Sequence, residues 1–447
     1  MSALTLPAAL ALRPSGELVA IVGGGGKTSL LFALLASLPG RVVATTTTRI
    51  FAAQTRRAPA VLAYGADQDL ASLGRHLDQQ GACLVIGALA GEKAVGVPAH
   101  LPGRLLARPD VAHVVVEADG SRTRPVKAPA QHEPVIPTES TVVVAMAGLD
   151  ALEAPLAATA HRPERVAELC GLHLAEPLTP TALATLLTHR EGGAKALPPR
   201  ARFVVCLNKV GTEARLAAAR LTAQLALRQA VVERVLLTTL QEQPVVREIH
   251  QRVTGIVLAA GEASRMGHTK QLLPWGQTTV LGQTLEHARR SSLHNTIVVT
   301  GHDAVAVREV ARAHEVPTVH NPAYAEGEML SSLQAAVRAL PAEVAAALDL
   351  LADQPWLDPP EMEAILLAYR QGHGPLIAPV HDGRRGNPVL IDRRFFAELL
   401  SLPPGEAPRS LLTRHPEALH LVAVESDGVL RDLDRPEDYA RWWPSSR

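Results

Sequence analysis

The sequence predicts an α/β protein of two domains, each built on a mostly parallel sheet with helices against its faces. Three observations lead there. At 447 residues the chain is too long for one ordinary core, and its length suggests about two to three domains. Short β-branched runs alternate with longer Ala- and Leu-rich stretches, the pattern of strand–helix–strand units. Aromatic residues make up only 3% of the chain, so the cores are aliphatic layers of helix on sheet rather than an all-β sandwich. The alternation also begins twice. "ELVAIVGGGGKTSLLFALL" and "TGIVLAAGEASRMGHTKQLLPWG" each read as a strand that runs into a loop of small residues. The restart places a boundary between Gln241 and Thr254 and divides the chain into domains 1–250 and 251–447.

In the first domain "LVAIV" (Leu18 to Val22) is the opening strand, and "KTSLLFALLASL" is the helix after its glycine loop. "RVVATTTT", "ACLVIGA", "AHVVVEADG", "STVVVAMAG" and "ARFVVCLNKV" are the strands that follow, and "EARLAAARLTAQLALRQA" is a late helix. Unbroken aliphatic runs of this kind mark parallel strands covered on both faces. After the restart, "NTIVVTGHD", "VPTVHNPAY", "AAALDLLADQP", "PLIAPVHDGRRGNPVLI" and "LHLVAVE" supply the second sheet.

The formal net charge is zero, which argues against a general nucleic-acid or membrane-surface binder. Cys83, Cys170 and Cys206 lie far apart and form neither a disulfide framework nor a CxxC zinc motif. Cys170 and His173 make a lone C-x-x-H without a partner pair, which is a structural feature far more often than a metal site. The start has no basic stretch before a long apolar run, and no apolar span reaches about 18 residues. A soluble, cytoplasmic protein is expected.

Both loops suit phosphate, by different chemistry. In the second, Ala259, Ala260 and Gly261 carry little or no side chain, so a nucleotide can approach the backbone at the end of a strand. Arg265 and Lys270 then supply fixed positive charge for triphosphate oxygens. Asp353, after the apolar run in "LDLLADQPWLDP", stands where a carboxylate binds nucleotide magnesium, or where it caps a turn before Pro355. Asp432 and Asp434 in "DLDRPEDY" offer a second carboxylate set, or helix N-caps.

In the first loop, "VGGGGKTS" sets Gly23, Gly24, Gly25, Gly26, Lys27 and Thr28 between a strand and a helix. Backbone N–H groups there can cradle phosphate, with Lys27 reaching the outer phosphates and Thr28 touching magnesium. The spacing is not GxxxxGK[ST] but the shorter GxxGK[ST] of Mur ligase-type P-loops. Glu117 and Asp119 in "HVVVEADGSR" are candidate magnesium-linked carboxylates, or simple turn residues. The hydroxyls of "ATTTTR" suit phosphate, metal or the cap of the next helix. "LNKV" has Gly211 where the guanine-binding NKxD segment has Asp, so guanine specificity is not supported.

These segments carry two resemblances. "LAAGEASRMGHTK" fits the pattern LAAGxSxRMGxxK, and "QLLPWGQTTVLGQTL", "TGHDA", "NPAYAEGEMLSSLQAAV", "LADQP", "GRRGNPVLI" and "DLDRPEDY" follow it in order. From Thr254 to Asp438 the chain resembles the MobA-like nucleotidyltransferases, most closely the molybdenum cofactor cytidylyltransferases (MocA-like). The resemblance implies a Rossmann-like (GT-A type) domain and a reaction. The terminal phosphate of molybdenum-bound molybdopterin would attack the α-phosphorus of CTP, release pyrophosphate and leave molybdopterin cytosine dinucleotide. It implies Arg265, Lys270 and Asp353 as catalytic residues, and Leu258, Ala259, Ala260, Gly261, Ser264, Lys270 and Ser332 as the nucleotide lining. Asp353 and Asp434 would hold Mg2+. Ser331 and Ser332 would lie near nucleotide or pterin, with a helix N-cap the alternative, and Gly386, Asn387 and Pro388 would form a pterin-side or closing loop. The family usually has His where Asn387 stands. Guanylyl-transferring relatives usually carry Gly at the position of Ala260, which together with "TGHD" and "SSL" favours cytosine. The alternatives are a guanylyl- or other nucleotidyltransferase of the same fold, such as a sugar-phosphate or polyol-phosphate transferase, or a non-enzymatic molybdenum cofactor chaperone for hydroxylases.

From about Leu4 to Gln241 the chain resembles the selenium-dependent hydroxylase accessory family (YqeC-like). The glycine loop and "EADGSRTRPVKAPAQHEPVIP", with Arg122, Arg124, Lys127, His132 and Glu133, carry that likeness. It implies a P-loop domain that binds ATP or a related nucleotide. Such a domain would assist cofactor maturation for a xanthine dehydrogenase-type molybdenum hydroxylase as acceptor.

Overall fold

A computed structural model describes residues 4–241, 243–262, 269–326 and 328–443. The chain divides into two compact units, one ending at His250 and the other beginning at Gln251. Both are α/β.

The first unit is a nine-stranded sheet of β1 (Glu17–Gly23), β2 (Val42–Thr46), β3 (Val61–Ala63), β4 (Ala82–Ile86), β5 (His113–Glu117), β6 (Val142–Gly148), β7 (Arg202–Asn208), β8 (Val232–Thr239) and β9 (Val245–His250). The strand order is β9-β8-β7-β6-β1-β5-β2-β4-β3. The neighbours pair in parallel except β8 and β9. The central strands are buried on both faces, which is why they read as continuous Val, Ile and Ala. Helix α1 (Lys27–Ser37) lays Leu30, Leu31 and Leu34 on the sheet at helical spacing. Helix α2 (Glu213–Leu227) starts at Thr212, whose hydroxyl accepts from Arg215 N at 3.3 Å. Strands β6 to β9 fill one side of β1, and β5, β2, β4 and β3 fill the other. The carboxyl end of β1 is therefore a switch point, the usual ligand position in such sheets.

The antiparallel edge strand β9 was not legible as a strand, because charged residues interrupt its apolar positions. One of them, Glu248, is 1% exposed and accepts from Arg220 Nε of α2 at 3.0 Å and pairs with His250 Nε2 at 2.8 Å. Burial alone would raise its pKa, but hydrogen bonds from His250 and Arg220 hold it down from 4.5 to about 2. A carboxylate with a depressed folded-state pKa stabilises fully above its unfolded pKa and loses that stabilisation as pH falls through the folded one. Denaturant unfolding of the wild-type chain should therefore lose on the order of 2–3 kcal/mol between pH 5 and pH 2 that Glu248→Gln does not lose. Parallel pH profiles for the two proteins would contradict this account of Glu248.

The second unit is an eight-stranded sheet of β10 (Arg252–Ala259), β11 (Asn295–Thr300), β12 (Thr318–His320), β13 (Val344–Leu351), β14 (Leu376–His381), β15 (Arg384–Arg385), β16 (Val389–Asp392) and β17 (Leu419–Ala423). The order is β12-β11-β10-β13-β16-β14-β15, with β17 beside β14. Strands β12, β11, β10 and β13 are mutually parallel, whereas β16 runs antiparallel to both β13 and β14. Helices α3 (Val280–Arg290), α4 (Ala304–Ala313), α5 (Glu328–Ala339) and α6 (Pro359–Arg370) cover the two faces around separate aliphatic clusters. The chain leaves β10 for β11 on one side and later returns to β13 on the other. That puts the carboxyl ends of β10 and β13 together at this unit's switch point. Among the described residues, no helix is long and apolar enough to cross a membrane.

Candidate active site

In the second unit, the ends of β10 and β13 open on a cavity of about 250 Å³. Leu258, Ala259, Ala260 and Gly261 line it from β10, Lys270 and Gln271 from the following turn, Ser332 from α5, and Asp353 from just past β13. The structure thus gathers most of the residues expected to hold a nucleotide. Arg265 and Ser264 lie outside the described residues. Ala260 is 4% exposed, and its carbonyl accepts from His302 N at 3.1 Å, which ties the small-residue loop to the "TGHD" turn. Gln271 does the same from the other direction: its Nε2 donates to Ala259 O at 3.2 Å and Gly261 O at 3.4 Å.

Lys270 forms ion pairs with Asp353 and, at 3.1 Å, with Asp434. Burial would lower its pKa, but these two carboxylates raise it, so it is held as the ammonium. Asp432 stands beside them, and its Oδ1 accepts from Gln354 Nε2 at 2.6 Å. Its pKa is raised by burial first, then by the charges of Asp353 and Asp434. The backbone holds this corner closed, since Leu433 N donates to Asp353 O at 3.1 Å. The "LADQP" and "DLDRP" segments therefore form one acidic corner with a single lysine in it. Carboxylate oxygens gathered at one corner suit a hard dication, and Asp353 and Asp434, which share Lys270, fit Mg2+ in donor chemistry. Among the described residues, however, no three His, Cys, Asp or Glu side chains converge as a preformed metal cluster. Ser331 and Ser332 lie inside α5 rather than capping it, and both hydroxyls accept from Asn321 Nδ2, at 2.8 and 3.0 Å.

A second cavity, of about 360 Å³, adjoins the first through Met329, which lines both. Arg385, Gly386 and Asn387 of the "GRRGNP" loop line it, with Asp349 of β13 and Arg409. Gly386 packs where no side chain fits, because a Cβ there would lie 2.2 Å from Val429 O. Asn387 N donates to that same carbonyl at 2.9 Å.

In the first unit the glycine loop joins β1 to α1. Gly25 (φ 74°) and Gly26 (φ 139°) adopt backbone conformations that L side chains rarely reach. A Cβ on Gly25 would lie 2.1 Å from Gly148 N, and one on Gly26 would lie 2.4 Å from Asn208 Nδ2. Asn208 Nδ2 donates to Gly25 O at 2.8 Å while its Oδ1 accepts from Leu240 N at 3.1 Å. The Asn of "LNKV" therefore braces the loop against β8, a role that the missing Asp of NKxD does not affect. The N–H groups of Gly23, Gly24 and Gly25 already donate within the protein, to the Asp119 carboxylate, Met146 O and Arg124 O. The amides available to phosphate are those that open α1, from Gly26 to Thr28. No side chain caps that helix end.

Lys27 Nζ donates to Gly23 O at 2.7 Å and lies 3.4 Å from Asp119 and 3.8 Å from Glu117. Thr28 Oγ1 donates to Glu117 at 2.9 Å. The ion pairs continue from Asp119 to Lys127 (3.0 Å), Glu133 (2.7 Å) and Arg162 (2.8 Å). Burial pushes the Glu117 pKa up, against Lys27 and Thr28 and with help from Asp119. Burial, then Arg162, Lys127 and Arg122, hold His161 down at about 4. This is a lysine–hydroxyl–carboxylate set at a helix N-terminus, the arrangement that nucleotide phosphates and their metal use.

The two architectures are a parallel α/β sheet with a glycine loop at its switch point and a second α/β unit with a small-residue loop at its own, and comparison with known proteins assigns each half to a family. Residues 19–164 match the YqeC protein family and residues 255–419 match the MobA-like NTP transferase domain. An Escherichia coli K12 protein described as Uncharacterized protein YqeC is 32% identical over 55% of this chain and 95% of its own length. The molybdenum cofactor cytidylyltransferase of the same organism is 30% identical over 41% of this chain and 92% of its own length. Among solved structures, Rv0371c from Mycobacterium tuberculosis H37Rv is 29% identical, with 44% of this chain and 100% of that one covered, at a TM-score of 0.39. The chain belongs to the YqeC family through its first half and to the MobA-like NTP transferases, alongside the molybdenum cofactor cytidylyltransferase, through its second. Its second half is a nucleotidyltransferase.

Proposed function

We propose that the second unit transfers CMP from CTP to molybdenum-bound molybdopterin. The observation that carries this reading is the pair of cavities sharing Met329, one lined by small residues, Lys270 and Asp353 and the other by the "GRRGN" loop. CTP occupies the first and molybdopterin the second. A phosphate oxygen of molybdopterin attacks the α-phosphorus. That bond forms as the α–β phosphoanhydride bond breaks, and pyrophosphate leaves with the negative charge. The protein's task is alignment and charge neutralisation rather than covalent catalysis. Lys270, with Arg265 from the adjoining segment, neutralises the triphosphate and the leaving pyrophosphate. Asp353 and Asp434 hold Mg2+, which when bound supplies further charge to the phosphate oxygens. The methyl group of Ala260 narrows the base end of the cavity and favours cytosine over guanine.

The first unit binds ATP or a related nucleotide at Gly26, Lys27 and Thr28, with Glu117 and Asp119 on the metal side. It assists maturation of the same cofactor for a xanthine dehydrogenase-type hydroxylase in the cytoplasm. The substrate assignment is tested by offering CTP and GTP in competition, with molybdopterin present, and weighing the dinucleotide formed. The cytosine dinucleotide is expected in large excess. A guanine dinucleotide would overturn the base assignment. No dinucleotide, with delivery of preformed cofactor intact, would favour a chaperone instead.

A further inference from the structure

Asp349 stands in the middle of the aliphatic strand β13, between Ile256 of β10 and Val389 of β16. It is 6% exposed, and among the described residues nothing donates to its Oδ1. A buried carboxylate without partners is costly, and its burial pushes its pKa up to about 7. Strand packing does not call for it, since Ala347, Ile256 and Val389 beside it on the same face belong to an aliphatic cluster, and an aliphatic side chain would be buried there at no such cost. Asp349 does, however, face the cavity of about 360 Å³. The walls there include Met329, Val389, Ile391 and Leu412, which suit the faces of a flat ring. At the rim, Arg385 and Arg409 are exposed and have no carboxylate partner among the described residues, while Glu406, which also lines the cavity, is paired with Arg414 at 2.7 Å. The cavity therefore combines apolar sides, a cationic rim and one orphaned hydrogen-bonding group within.

We propose that Asp349 is a specificity-determining residue that reads the 2-amino-4-oxo edge of a phosphate-bearing pyrimidinone ring held in this cavity. The assignment rests on the second cavity being the acceptor side of the transfer reaction. Such an edge offers two adjacent N–H donors, one from the ring and one from the exocyclic amine, and a carboxylate offers two acceptors in the matching plane. The ring satisfies the orphaned oxygen, and Arg385 and Arg409 meet the phosphate. A ring with an oxo group in place of the amine leaves one acceptor unpaired and adds a carbonyl facing the carboxylate. Sites built on buried hydrogen bonds reject analogues of that kind strongly.

The test uses the full chain and two simple probes, pterin and lumazine, which differ in that amine alone. Fluorescence titration should show wild type binding pterin at least about ten-fold more tightly than lumazine. Asp349→Leu should erase the preference through loss of pterin binding, with a melting temperature equal to or above wild type. Asp349→Asn, which keeps one acceptor, should fall between. In turnover, Asp349→Leu should raise KM for molybdopterin and leave KM for CTP unchanged. Equal pterin affinity in wild type and Asp349→Leu, or no preference in wild type, would overturn the proposal. So would a lowered melting temperature with both KM values moved together, the mark of a structural role. Pterin preference without CMP transfer would retain Asp349 and defeat the reaction proposed above, whereas transfer with an unmoved molybdopterin KM would do the reverse.

Discussion

Asp353→Asn is expected to slow nucleotidyl transfer by about a hundred- to a thousand-fold while the second unit stays folded. The side chain is partly exposed and pairs with Lys270, which also holds Asp434 at 3.1 Å, so the lysine keeps a partner in the variant. Removing one negative charge also relieves Asp432, whose pKa Asp353 helps to raise. The structural cost is therefore small. The catalytic cost is large, because a neutral amide binds a dication weakly and the triphosphate loses its alignment. Single-turnover pyrophosphate release from CTP, paired with a thermal melt, separates the two effects. A rate within a few-fold of wild type would remove Asp353 from the chemistry and reduce it to a turn residue before Pro355.

Lys27→Ala should have the largest effect in the first unit, on stability and on nucleotide binding together. Its ammonium is almost fully buried between Asp119 and Glu117. Deleting one partner of a buried ion pair leaves uncompensated charge and costs about 3–5 kcal/mol. A loss of ATP binding in that variant alone would therefore be ambiguous. The double variant Lys27→Ala/Asp119→Asn resolves it. The second change removes one of the two carboxylates that faced Lys27, and Lys127, which also pairs with Asp119, keeps Glu133 at 2.7 Å. The introduced amide oxygen can still accept from Gly23 N, as each Asp119 carboxylate oxygen does at 3.1 Å, so much of the lost stability should return. ATP affinity should not return, because Lys27, the cation placed next to the helix N-terminus for the outer phosphates, is gone. Calorimetric binding equal to wild type in the double variant would sink the P-loop reading of Gly26, Lys27 and Thr28.

The parts of this molecule that were legible in the sequence are those where local chemistry and fold agree. Val19, Val143 and Val205 sit in strands buried on both faces, so aliphatic runs announced them. The two small-residue loops were legible because backbone must approach ligand or neighbouring backbone there, and Gly25 shows how little room is left. What escaped was tertiary. Asn208 reaches a glycine loop 183 residues away, and nothing in "LNKV" points to Gly25 O. Gln271 and Asn321 open two of the quoted motifs, but nothing in "QLLPWG" or "NPAY" shows that one holds the carbonyls of Ala259 and Gly261 and the other the hydroxyls of Ser331 and Ser332. Asp349 was hidden inside a strand whose other residues spell a core. Edge strand β9 was masked by Arg247, Glu248 and His250; the Arg220 that pairs with Glu248 lies on α2. The glycine loop is legible as a turn into a helix, but only its last residues keep amides for phosphate.

We propose that the chain joins two nucleotide-handling units with separate tasks, the second performing CMP transfer. The most direct measurement is pyrophosphate release from CTP with molybdopterin present, on the wild-type chain and on Lys27→Ala/Asp119→Asn. One pyrophosphate per cytosine dinucleotide formed is expected, at rates that are the same in both proteins. Release from GTP but not CTP, or release abolished by the changes at Lys27 and Asp119, would contradict it.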